Sequence, residues 1–239
     1  TAVIRTHQHA TDADGTRPYA LADLRRALAM AVDNAICLEL GYAGRGVLAA
    51  NHHVSPVHPA YADIGPAPYD PDAARAAHDA AGMSGYEHEL ITLDDEWQRN
   101  TGDAVAAQLR DAGLRVNRRI VAGDTFWDNW LVYPFSGTQW NHRPLDVQVL
   151  GLAYRSGAVW NETGFSDPEF DRLLDEANRL SDPDTRRDVM ARLQTILREN
   201  GVIIQPYWRM LYNHHNGRLV NAEKHPAHEI HLYEIGFTA

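Results

Sequence analysis

Residues 88–121 leave this chain few folds to choose from. "HELITL" (88–93) alternates as a strand, Glu96–Ala112 carries apolar residues at helical spacing, Gly113 interrupts it, and "LRVNRRIV" (114–121) is again a strand. Two strands joined through a helix of that length pair in parallel, with a right-handed crossover. "DTFWDNWLVY" as helix and "FSGTQW" as strand repeat the pattern, and Val3–Thr6 adds a strand near the start. Alternating strands and helices make an α/β fold: a mixed sheet with helices on both faces.

Around that unit the helices announce their ends. "LADLRRALAMAVDNAICLELGYAG" places Leu24, Leu28, Ala31 and Val32 on one side and Arg25 and Arg26 on the other, so one helix is expected, stopped by Gly41 and Gly44. "DPDAARAAHDAAG" has Asp70 as N-cap, Pro71 in the first turn and Gly82 at its end. "SDPEFDRLLDEANRL" and "SDPDTRRDVMARLQTILREN" repeat the device, and Gly201 closes the second. "VIIQPYWRMLY" is a strand interrupted by Pro206, and "EIHLYEIGF" is extended. Residues 44–70 are proline-studded and lack a sustained period; so long an irregular segment implies a docking or functional role.

Charge and cysteine content narrow the function. At 239 residues, 44% hydrophobic and 23% charged, the chain can bury a core. A net charge of −10 argues against general affinity for nucleic acid or an anionic membrane. The single cysteine, Cys37, lies among apolar residues and reads as core. The chain opens at Thr1 without a signal-peptide hydrophobic region, and is expected to be processed or part of something longer.

Thirteen histidines raise metal binding as a question. His52, His53 and His58 share one loop; His225, His228 and His231 share another. Neither set has the HExxH spacing that puts two imidazoles on one helical face, so structural or exposed histidines are expected. There is no G-x-S-x-G elbow, and "GYAGRG" follows a helix where a dinucleotide loop must precede one. The acidic residues gather at helix N-termini, where the macrodipole accounts for them. No catalytic residue, metal or cofactor is assigned.

The aromatic and polar cluster after residue 125 reads differently. Phe126 and Trp127 lie on a helix leading to the strand that ends in Gln139 and Trp140, followed by Asn141, His142, Arg143 and Pro144. Aromatic walls with a few polar anchors describe a small-molecule or peptide pocket, and open α/β sheets place ligands beyond the carboxyl ends of their strands. The candidate ligand-binding residues are therefore Phe126, Trp127, Gln139, Trp140, Asn141, His142 and Arg143.

Five collinear stretches resemble one family. "LRRALAMAVDNAICLELGYAGRGVLAANHHVSPVHPAYADI", "YDPDAARAAHDAAG", "AVAAQLRDAGLRVNRRIV", "FSDPEFDRLLDEA" and "RRDVMARLQTILRENGVIIQPYW" are similar, in order, to segments of the family 5 extracellular solute-binding proteins. These are the dipeptide-, oligopeptide- and nickel-binding receptors of ABC importers. The resemblance implies one lobe of a two-lobed, class II periplasmic-binding-protein fold, matching about the C-terminal half. Residues 1–239 would form the C-terminal ligand-binding lobe, with about 1–17 and 206–239 as hinge or return segments to a missing N-terminal lobe.

It further implies a peptide or peptide-like ligand, permease subunits as partners, no catalysis, and a periplasmic or extracellular, lipid-anchored location. A nickel or metal-chelate receptor is the alternative within the family; a small hydrolase is the alternative outside it. Many peptide-binding relatives carry an Asp a few residues before the loop proline, paired with the ligand ammonium. Here residues 138–143 hold no carboxylate, and Trp140 or Asn141 takes its place. Arg143 is then expected to meet an anionic group on the ligand.

Overall fold

A computed structural model describes residues 1–225 and 227–238. Its main sheet has five strands: β1 (Ala2–Thr6), β3 (Glu87–Leu93), β4 (Arg115–Val121), β5 (Phe135–Gln139) and β6 (Ile203–Ile204). They lie in the order β4-β3-β5-β1-β6. β3 is parallel to both β4 and β5, as the 88–121 pattern requires, while β1 runs antiparallel between β5 and β6. The sheet is mixed, and alternate residues of each strand serve different cores. Ala2, Ile4, Leu90, Phe135 and Ile204 join one cluster; Val3 and Ile203 join a second.

The first cluster is closed by α1 (Ala22–Met30), α2 (Asn34–Tyr42), α3 (Pro71–Ala80) and α4 (Glu96–Asp111), through Leu24, Leu28, Cys37, Ala74, Val105 and Leu109. The opposite face is covered by α6 (Asp146–Ala153), α7 (Pro168–Arg179) and α8 (Pro183–Glu199), through Leu150, Phe170, Leu174, Met190 and Leu193. Each such side chain, fully buried, contributes roughly 1.5–3 kcal/mol. α5 (Gly123–Asn129) covers the β3 end of that face. The acidic caps form as the sequence indicates: Asp70, Asp167 and Asp182 accept from the backbone N–H groups of Ala73, Phe170 and Thr185 at 2.9, 3.0 and 3.1 Å.

Several expectations change. The single helix expected through residues 21–44 is two, because Asp33 restarts it: its backbone is extended, its carboxylate accepts from Ala35 N at 2.8 Å, and its own N–H donates to Gln108 Oε1. The helix expected over 124–133 stops at Asn129, where the buried Arg5 guanidinium takes the backbone carbonyls of Trp130 and Tyr133. Residues 1–17 contain β1, which is paired on both edges within this sheet. Pro206 divides its strand between two sheets: β6 pairs with β1, and β7 (Tyr207–Arg209) pairs with β2 (Gly46–Leu48). Of the tail, only Gly236–Phe237 (β9) is strand, paired with Leu219–Val220 (β8); residues 232–234 turn.

Gly201 fits its place for a steric reason. Its φ is +57°, and an added Cβ would stand 2.6 Å from the backbone of Arg25 and Arg26. The turn from α8 into β6 therefore packs directly against α1.

Candidate ligand-binding cleft

β1 begins where β5 ends, with Ala2 opposite Gln139, and the chain leaving β6 emerges beside them. At that edge lies an open cavity of about 310 Å³. Trp140, Asn141 and His142 form one wall and Trp208, Arg209 and Met210 another, with Ser55 and Val57 from the proline-studded loop at the rim. An α/β sheet places its ligand crevice in this position.

Trp140 is held from behind. Its indole Nε1 donates to Glu162 Oε1 at 2.7 Å, and Thr138 Oγ1 donates to the same oxygen at 2.8 Å. Glu162 Oε2 accepts from Arg5 Nε at 3.1 Å, and both side chains are almost wholly buried. The Arg5 guanidinium also donates to the Tyr133 carbonyl at 2.6 Å. One buried ion pair thus ties the cavity wall to the middle of β1 and to the chain entering β5. Burial and the ion pair oppose each other at Arg5, and burial is the larger, so its pKa is lowered. Further hydrogen bonds, from Trp140 and Thr138 to Glu162 and from Arg5 to backbone carbonyls, occupy the remaining polar groups of the pair.

The loop 49–62 is built into the core by side-chain to backbone bonds. Asn51 Oδ1 accepts from Gln205 N at 2.8 Å, and Gln205 Oε1 accepts from His53 N at 2.8 Å. His53 Nδ1 is hydrogen-bonded with the Tyr154 hydroxyl at 2.7 Å, and its ring stands edge-on to Trp140 at 5.4 Å. His58 Nδ1 accepts from Ser55 N, and its Nε2 donates to the Arg143 carbonyl at 2.8 Å. His52 Nδ1 accepts from Val54 N. The three imidazoles have separate partners. Among the described residues, no group of three or more His, Cys, Asp or Glu side chains is arranged to hold a metal ion.

Buried histidines give the fold an acid limit. Desolvation lowers His52 and His88 to about 3 and His53 well below its usual value. The unfolded chain therefore binds protons between about pH 6.5 and 3 that the folded chain refuses, and stability is lost as pH falls through that window. His52 and His88 should each steepen the loss by about 1.4 kcal/mol per pH unit. Urea denaturation at pH 6.5, 5.5 and 4.5 should show falling midpoints, and His88→Gln should flatten the slope by about one proton. An unchanged slope in His88→Gln would refute a neutral buried His88.

The seven expected contact residues divide. Trp140, Asn141 and His142 line the cavity, with His142 stacked on His58 at 5.0 Å. Phe126 does not: its ring is fully buried among Ile91, Leu93 and Tyr133. It faces the sheet because α5 lies flat on β3, which turns Trp127 outward, 39% exposed and away from the cavity. Gln139 ends β5 half-buried and is not among the lining residues. Arg143 is not among the lining residues: its guanidinium carbon lies 5.9 Å from the Trp160 ring centre, and its carbonyl accepts from His58. Sequence reasoning missed Trp208 and Arg209, assigned only to a return strand, and Glu162, for which no local pattern gave a signal.

The family model for bacterial extracellular solute-binding proteins, family 5 Middle, matches residues 5–162. The chain belongs to this family. Among curated members, a dipeptide-binding protein and di/tripeptide-binding protein 3, both from Pseudomonas aeruginosa, are 26% identical over 203 residues, covering 77% of this chain and 36% of theirs. The chain thus spans about a third of the length of these relatives. In three dimensions it is similar to the oligopeptide-binding protein AppA from Bacillus subtilis in complex with a nonapeptide: TM-score 0.82, 16% identity, 100% of this chain and 50% of that one. It is also similar to DppA from Helicobacter pylori in complex with peptide STSA: TM-score 0.76, 16% identity, 87% of this chain and 41% of that one. These likenesses give the chain the periplasmic-binding-protein fold. Among its described residues, no helix is long and apolar enough to cross a membrane.

Proposed function

We propose that this chain is the C-terminal ligand-binding lobe of a two-lobed receptor that captures peptides or peptide-like solutes for an ABC importer. The observation that carries this reading is the open cavity at the carboxyl end of β5, walled by Trp140 and Trp208. It offers one side of a binding cleft, as a single jaw does. The peptide-binding relatives favour peptides over other solutes. The receptor works in the periplasm, or outside the membrane on a lipid anchor, and hands its ligand to permease subunits. It performs no chemistry: closure of a second lobe over the ligand is the functional event. The loop imidazoles have partners within the fold, which gives the metal-chelate alternative no support.

If the ligand is clamped between two lobes, this chain alone should bind it at least ~100-fold more weakly than the full-length receptor, about 2.7 kcal/mol. Native mass spectrometry of the full-length protein identifies the co-purified solute, and calorimetry compares the two affinities. Equal affinities would rule out the clamp.

A further inference from the structure

The chain contains two Asn-Gly pairs, Asn200-Gly201 and Asn216-Gly217, and the fold treats them differently. An asparagine before glycine is prone to cyclise, because the next amide nitrogen can attack the side-chain carbonyl and glycine adds no Cβ to hinder it. At the first pair that nitrogen is occupied. Gly201 N donates to the Arg198 carbonyl at 3.0 Å, and Asn200 Nδ2 donates to the Ile196 carbonyl at 2.9 Å. Gly201 is also packed directly against the α1 backbone.

The second pair lies between β7 and β8, where His215, Asn216, Gly217 and Arg218 are all exposed. Gly217 has φ +83° and open space where a Cβ would stand. Its N–H donates to His215 Nδ1 at 3.2 Å, so an imidazole nitrogen already faces the proton that cyclisation must remove. That separation is within the reach of a general base, and a neutral imidazole accepting at Nδ1 keeps its own proton on Nε2. Asn216 Oδ1 accepts from Arg218 N at 3.1 Å. A donor at this oxygen polarises the carbonyl and meets the negative charge that builds there during attack. The two residues flanking the pair thus supply a base for the nucleophile and a donor for the electrophile.

We infer that Asn216 is a site of self-catalysed deamidation, with His215 as its base. The inference is independent of which solute the cleft receives. His215 Nδ1 takes the Gly217 N–H proton, and the Gly217 nitrogen bonds to Asn216 Cγ. The tetrahedral intermediate collapses by breaking the Cγ–Nδ2 bond; Nδ2 recovers the proton from His215 and leaves as ammonia. Water then opens the cyclic imide at either carbonyl, giving aspartate or its β-linked isomer, isoaspartate. The product adds a negative charge to the segment between β7 and β8. As isoaspartate it also adds a backbone carbon just ahead of β8, which pairs with β9.

Peptide mapping by mass spectrometry, on the full-length protein incubated at neutral pH, follows both pairs. The Asn216 peptide should convert to a mixture of aspartate and isoaspartate while the Asn200 peptide keeps its amide. His215→Ala should slow conversion at Asn216 at least ~10-fold, a fraction of what a fully positioned base contributes. In urea, where neither pair is held, the two should convert at similar rates and His215→Ala should make little difference. An Asn216 amide that persists in the folded protein but converts in urea would overturn the assignment. So would a folded His215→Ala protein converting at the wild-type rate, or Asn200 converting as fast as Asn216 in the folded state.

Discussion

Glu162→Ala should destabilise the fold by about 3–5 kcal/mol, the loss expected when one member of a buried ion pair is removed. The cost comes from what remains. Arg5 stays fully buried, with two backbone carbonyls for company and no countercharge. Trp140 Nε1 and Thr138 Oγ1 lose the carboxylate oxygen they share. Against a typical stability of 5–15 kcal/mol, such a loss leaves a marginal protein. Urea denaturation of wild type, Glu162→Ala, Arg5→Met and the double variant measures the coupling. The double variant should be less destabilised than the sum of the singles, because each single change alone strands a partner. Additive losses would mean that the ion pair is energetically idle. The same variant should alter the cleft, since Glu162 sets the indole edge that Trp140 keeps against the cavity wall.

Phe126→Ala should cost a similar amount, about 3–5 kcal/mol, as aromatic truncations in cores do. Its ring fills the space between α5 and the Ile91 and Leu93 side chains of β3, with Tyr133 at 5.5 Å. The effect should be on folding alone. At a temperature where the variant stays folded, its ligand affinity should equal that of wild type, because the ring presents no surface to the cleft. Trp140→Ala should do the reverse in kind and weaken binding directly. A Phe126→Ala protein of wild-type stability with lost affinity would return Phe126 to the ligand site.

Much of the fold was legible because its signals are local. The βαβ unit at 88–121 required only strand alternation, a helical period and Gly113 at the turn, and its parallel register follows from them. Aspartate followed by proline marked the starts of α3, α7 and α8, because a capping carboxylate and a fixed φ act on the first turn alone. The loop beyond Gln139 was legible as a candidate cavity wall for the same reason: it follows a parallel strand. The break at Asp33 was less so, since the apolar spacing runs on through it while the cap and Gln108 decide otherwise.

Side-chain direction at the cleft required the tertiary structure. Phe126 and Trp127 are neighbours of similar hydrophobicity, and only the way α5 lies on β3 sends one into the core and the other to solvent. Arg143 and Arg209 are both arginines beside tryptophan residues. A bond from His58, 85 positions away, fixes the Arg143 backbone as its side chain meets Trp160; pairing of β7 with β2 brings Arg209 to the cavity and over Trp97. Glu162 gave no local signal, because its partners, Arg5, Thr138 and Trp140, meet it only through the folded sheet. Periodicity and caps are short-range physics, and the sequence alone determined what they govern: the strands, most of the helices and the edge at which the cavity opens. Which residues line that cavity depends on contacts between residues distant in sequence, and those the packed structure decided.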